Sequence, residues 1–214
     1  MIEKTLQMLK DKVRPILPEL VDELNPSATP AQIDEIAAQL PFDFPDELRQ
    51  LYSVHNGEAN ERGLFFGLPL SPLSLAFDSW QGVSKHASED FSDIDKTIVS
   101  VPPKHTKKNY INAHYFPFSH DGAGNHIVID LDPDQEGVKG QIINYGTDEN
   151  TRYVIAPSLD DFLAFCIHQI EIGNYIVKEP IDEKVLYLKE PDNEHLFDTL
   201  SQLKLPFRAS ERKN

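Results

Sequence analysis

Phe116-Pro117-Phe118-Ser119-His120-Asp121-Gly122-Ala123-Gly124-Asn125-His126-Ile127-Val128-Ile129-Asp130-Leu131 is the stretch on which the fold turns. Two apolar runs flank a turn rich in glycine, aspartate and asparagine. That arrangement predicts strand, tight turn, strand, with the chain reversing direction at Gly122 and Gly124. Two further apolar runs follow at short intervals, Gly140–Tyr145 and Tyr153–Ala156. With turn chemistry between neighbours, the set predicts an antiparallel meander.

Outward from the meander, the flanking sequence reads as helical. Residues 1–24 form an interrupted helix, broken around Pro15 and Pro18, with Leu6, Leu9, Val13, Ile16, Leu17 and Leu20 at helical spacing. Thr29, Pro30 and Gln32 have the pattern of an N-cap, a first-turn proline and a capping box, with Ile33, Ile36, Ala37 and Leu40 as the apolar face behind them. A third helix starts near Pro45 and stops at Asn56-Gly57. The glycine-bounded run Gly63–Leu68 reads as a strand, Ser71 to His86 as a region that holds a helix, and Lys96–Val101 as a strand or sheet edge. On the far side, Ser158 and Asp161 open a capping box for an apolar helix that ends at Gly173, and one short helix is expected within Asn193–Leu203. The expected organisation is α+β: an N-terminal helical segment (1–24), a main domain (25–178) and a charged C-terminal extension (179–214).

Composition restricts the function. The 214 residues carry 35 acidic and 20 basic side chains, a formal net charge of −15. Such a chain repels nucleic-acid phosphate and anionic membranes and favours basic partners. The excess is uneven: residues 26–100 hold 12 acidic against 4 basic groups, and residues 120–149 hold 7 against 1. The single cysteine, Cys166, lies on an apolar helix face and reads as an inert core thiol. The N-terminus lacks the basic-then-apolar pattern of a secretion signal, so the expected location is cytoplasmic.

The candidate chemical motifs fail on spacing. Asp130 to Gly137 places acids at alternate positions, but Gln135 and Gln141 stand where a helix–loop–helix calcium site needs glycine and glutamate. His114, His120 and His126 match no zinc pattern. The glycines near Asp121 lack the lysine and following helix of a phosphate loop. Lys104, Lys107 and Lys108 form a basic cluster that reads as a solvated loop. No catalytic residue, metal or cofactor is expected.

These elements occur in one order: the proline-initiated helix ending in His55-Asn56-Gly57, Leu64–Leu68, Phe116–Asn125, Ile127–Leu131, the Gly137–Gly140 turn with its strand, and Ser158–Leu163. Over roughly residues 25–175 this resembles the SUKH superfamily, which includes fungal Smi- and Knr-type cell-wall regulators. The resemblance implies an α+β fold with no catalytic residues and no required cofactor. It also implies action by protein binding. Many bacterial members resemble immunity proteins (antitoxins) that neutralise toxins, often nucleases. The acidic domain and the lack of long low-complexity flanks favour that type, with a basic toxin domain as partner. A regulatory scaffold for cell-wall synthesis or signalling is the alternative, and an unrecognised enzyme is the other. The expected contact residues are exposed acids in three places: Glu58 and Glu61; Glu89, Asp90 and Asp93; and Asp132, Asp134 and Glu136. Oligomeric state has no signature in the sequence.

Overall fold

The computed structural model describes residues 1–180, 182–191 and 196–205. Six helices come first: α1 (Ile2–Val13), α2 (Pro18–Asp22), α3 (Pro30–Ala37), α4 (Asp46–Tyr52), α5 (Leu73–Ser84) and the single turn α6 (Ser92–Asp95). Strands β1 (Val99–Val101), β2 (Tyr115–His120), β3 (Asn125–Asp130), β4 (Gln141–Gly146) and β5 (Thr151–Ala156) form the sheet. Helix α7 (Leu159–Glu171), the ribbon β6 (Ile176–Lys178) with β7 (Val185–Tyr187), and α8 (Leu196–Thr199) complete the described chain.

The meander is present. β2, β3, β4 and β5 pair antiparallel in sequence order, and His120 faces His126 beside the turn. Gly122 (φ 75°) and Gly124 (φ 102°) make that turn, because L side chains rarely adopt such angles. Asp121 Oδ1 accepts the Ala123 and Asn125 amides at 2.7 and 3.0 Å and braces it. The sheet departs from a pure meander at one edge, where β1 joins β5 in parallel, Val99 opposite Thr151. A parallel pair needs a long crossover, and three strands of the meander supply it.

Both sheet faces are covered, which explains why the strands read as nearly continuous apolar runs. On the inner face Phe116, Phe118, Ile127, Ile129, Ile142 and Ile155 join the main core, against which α7 and α1 pack. On the outer face Tyr115, Val128, Ile143, Tyr145 and Val154 form a smaller cluster with Val83 of α5. Ile2, Leu6, Leu9 and Val13, the buried stripe of α1, belong to the main core. So do Leu186, Leu188, Leu196 and Leu200. The described parts of residues 1–24 and 179–214 thus contribute side chains to the same core as residues 25–178.

Local signals predict the helix starts well. Thr29 and Gln32 form the full reciprocal capping box. Ser158 Oγ accepts the Asp161 amide at 3.1 Å, while the Asp161 carboxylate accepts the Ser158 hydroxyl rather than its amide. Helix α4 ends at Tyr52, before the expected Asn56-Gly57 stop. Asn56 instead caps α5, its Oδ1 accepting the Leu73 amide at 2.8 Å. Of the helix expected within Asn193–Leu203, residues 193–195 lie outside the described residues and α8 occupies Leu196–Thr199.

Gly63–Leu68 is a correction: the run is a buried turn and not a strand. Positive φ at Gly63 (77°), Phe66 (56°) and Gly67 (85°) curls it, and Phe65 N–H donates to Leu68 O at 3.0 Å. A strand would satisfy its amides on a neighbour, whereas here a carboxylate does so.

Candidate protein-binding surface

That carboxylate is Glu58, the first of the expected contact residues. It is buried, and it accepts the amides of Gly63 (3.1 Å), Leu64 (2.9 Å) and Leu70 (2.9 Å). Burial pushes its carboxyl up to about 7, against the pull of those donors. The expectation of an exposed acid is corrected here, because Glu58 organises the loop from inside. Glu61 is exposed, with its carboxylate 3.7 Å from His120 Nε2.

The second group is exposed but locally engaged. Glu89 meets His86 Nδ1 at 2.6 Å, and Asp93 meets Lys96 at 2.8 Å. Asp90 accepts the Ser92 amide at 2.9 Å, and that bond lowers its pKa. In the third group Asp132 is half-buried and pairs with Lys107, with Asn112 Nδ2 at 3.2 Å. Asp134 accepts the Gln135 amide at 2.9 Å, and Glu136 is exposed. Among the described residues, no hydrogen bond or ion pair joins one group to another.

The basic loop is solvated at Lys104 and Lys108, which are exposed, and is built into the fold between them. His105 and Thr106 are buried, and both donate their amides to Ser100 Oγ at 3.1 and 3.0 Å. Lys107 is committed to Asp132. Asp130, the first acid of the alternating run, is buried on the outer sheet face and accepts Gln141 Nε2 at 2.8 Å. Burial pushes its carboxyl up to about 7. Among the described residues no three His, Cys, Asp or Glu side chains gather as a metal site. Cys166 is fully buried, and burial raises its thiol pKa far above the ordinary range.

Sequence reading missed a groove. It runs between α3 and α5, holds about 330 Å³ and is lined by Gln32, Glu35 and Ile36 from α3, by Gln39 just past its C-terminal end, and by Leu73, Ser74, Phe77 and Asp78 from α5, with Asn56 beside them. The three α3 residues lie at i, i+3 and i+4, one stripe of that helix. Helix α3 buries only Ile33, so Ile36 of the expected apolar face is left half-exposed in the groove. The one available signal was the mixing of Gln and Glu into the α3 apolar stripe. A second pocket, of about 200 Å³, lies between Val83 of α5, Tyr110, Ile111 and Tyr145. Behind it the buried Arg152 guanidinium stacks 4.6 Å from the Tyr145 ring.

Comparison with known proteins places this architecture. The sequence profile of the SMI1 / KNR4 family (SUKH-1) matches residues 27–164, from the α3 capping box into α7. The Schizosaccharomyces pombe cell wall biosynthesis/cell cycle regulator smi1 is 30% identical over 207 residues, covering 91% of this chain and 41% of its own length. A Neurospora crassa glucan synthesis regulatory protein is 28% identical, with 78% of this chain and 38% of that protein covered. The Saccharomyces cerevisiae cell wall assembly regulator SMI1 is 26% identical, with 78% and 40% covered. The chain thus spans about two fifths of the length of these relatives. No helix among the described residues is long and apolar enough to cross a membrane. With well over half its length matched by the profile, the chain belongs to the SMI1/KNR4 (SUKH-1) family.

Proposed function

We propose that the chain is a non-enzymatic regulatory domain that acts on cell-wall synthesis by binding other proteins. The observation that carries this reading is the match, across 91% of the chain, to a protein named a cell wall biosynthesis and cell cycle regulator. Two further relatives named for glucan synthesis and wall assembly support it. The sequence alone put toxin neutralisation first, but the names of these relatives favour the regulatory alternative. The acidic excess fits either reading, since it selects a basic partner surface and speeds encounter with it.

Domain replacement tests the proposal. The matching region of the Schizosaccharomyces pombe relative is exchanged for this chain, and growth is scored on a wall-perturbing agent. Growth close to that of the unaltered strain is expected. Sensitivity equal to that of a deletion, at matched protein level, would count against the regulatory role.

A further inference from the structure

We propose that the groove between α3 and α5 is a docking site for an amphipathic helix of a partner protein, with lysine or arginine flanking its apolar stripe. This rests on the protein-binding reading above and adds the surface and the chemistry of the partner.

The shape argument starts from the two walls. Each wall is a helix, and each presents a stripe at helical spacing. Ile36, Leu73 and Phe77 supply an apolar floor, and Glu35 and Asp78 bring one carboxylate from each wall. Such a furrow receives the ridge of a third helix. Helix α3 has eight residues, so it offers about 12 Å of wall, the length of roughly two turns of a bound helix. It buries only Ile33, and Ile36, although it packs on the main core, stays half-exposed toward the groove.

The charge argument selects the occupant. Glu35 and Asp78 are exposed, and among the described residues their carboxylates have no ion-pair or hydrogen-bond partner. Neighbouring Asp34 differs, since Arg49 holds it at 2.7 Å. The surrounding stretch, residues 26–100, has 12 acidic and 4 basic side chains. An acidic or phosphate-bearing ligand is repelled here, whereas a helix with basic flanks is drawn in. Rim ion pairs of this kind contribute mainly to rate and selectivity; Leu73 and Phe77 are already buried, so the apolar contribution comes from covering Ile36 and is small.

The test uses the full chain and three labelled peptides of about 14 residues, four helical turns. One has leucines on a single stripe with flanking lysines, one has glutamate for each lysine, and one has a central proline that breaks the helix. Binding is read by fluorescence anisotropy. The lysine peptide is expected to bind saturably, and the other two at least about tenfold more weakly. Glu35→Lys with Asp78→Lys is expected to weaken the lysine peptide by about tenfold or more and to transfer preference to the glutamate peptide. Both positions are exposed, and thermal melts confirm that the double variant folds. Glu3→Lys with Asp148→Lys, two exposed positions away from the groove lining, is expected to leave binding nearly unchanged. Equal weakening by both pairs, or no saturable binding of the lysine peptide, overturns the docking site. In the domain-replacement strain the two proposals separate. If Glu35→Lys with Asp78→Lys preserves wall integrity, the groove is wrong and the regulatory reading stands. If the unmutated chain itself fails, the regulatory reading is wrong.

Discussion

The Leu70 amide donates to Glu58 Oε1 at 2.9 Å, tying together residues twelve apart in the chain. The same carboxylate holds the Leu64 and Gly63 amides, so it closes the loop that carries Phe65 and Phe66 into the core. Glu58→Ala strands three buried amides and is expected to cost roughly 3–5 kcal/mol in denaturant unfolding. Glu58→Gln keeps the oxygen that serves Leu64 and Leu70 but turns an amide toward Gly63, at about 1–2 kcal/mol. Equal costs for the two variants would contradict this assignment. The folded pKa is raised, to about 7, so the glutamate's favourable contribution is full below its ordinary value and is lost as pH rises through 7. The deficit of Glu58→Gln should therefore widen as pH is lowered from 7.5 toward 5.

His126 has the opposite sign. Burial, and then the facing His120, lower its pKa to about 4. Its contribution is present above the ordinary histidine value near 6.5 and is lost as pH falls through 4, a loss of up to about 3 kcal/mol. Asp130 on the same sheet face works against this trend, because its raised carboxyl takes up a proton as pH falls. The contribution is therefore isolated by comparing the chain with His126→Gln, whose relative stability should rise between pH 6.5 and 4. The His126 ring resonances should stay in the neutral position down to about pH 5. A midpoint near 6.5 would show that the half-buried setting of this ring does not depress its pKa.

Cys166 is fully buried on α7, and its thiol is far from ionised. A thiol-specific chromogenic reagent should find no reactive group in the folded chain and one on unfolding. Reaction should follow the global unfolding curve. Prompt modification under native conditions would mean that α7 opens locally.

Gly57 combines φ 83° with a close approach: a Cβ there would lie 2.4 Å from Pro72 N. Gly57→Ala adds left-handed strain to a backbone clash and is expected to cost about 3 kcal/mol or more in thermal or denaturant unfolding. A loss below about 1 kcal/mol would mean that the Gly57–Pro72 contact relaxes freely.

The features that were legible in the sequence are those with local causes. Thr29 and Gln32 fix a helix start by themselves, and Asp121 with Gly122 and Gly124 fixes a turn. The features that were not legible depend on distant partners. Three residues of β1 have no local sign of pairing in parallel with Thr151–Tyr153. An apolar run such as Gly63–Leu68 reads alike as a strand or a buried turn, and Glu58 decides between them from outside the run. Asp132 looked free because Lys107 lies 25 residues earlier. The groove escaped notice because periodicity shows which side of α3 is apolar and not how deeply that side is covered.

The central claim, that this chain is a regulatory domain for cell-wall synthesis, is tested most directly by wall glucan output. The quantity to measure is incorporation of labelled glucose into insoluble wall glucan. The strain is one in which this chain replaces the matching region of the Schizosaccharomyces pombe regulator. Incorporation close to that of the unaltered strain is predicted. Incorporation no higher than in a strain lacking that region, with the exchanged protein present at normal level, would contradict the account.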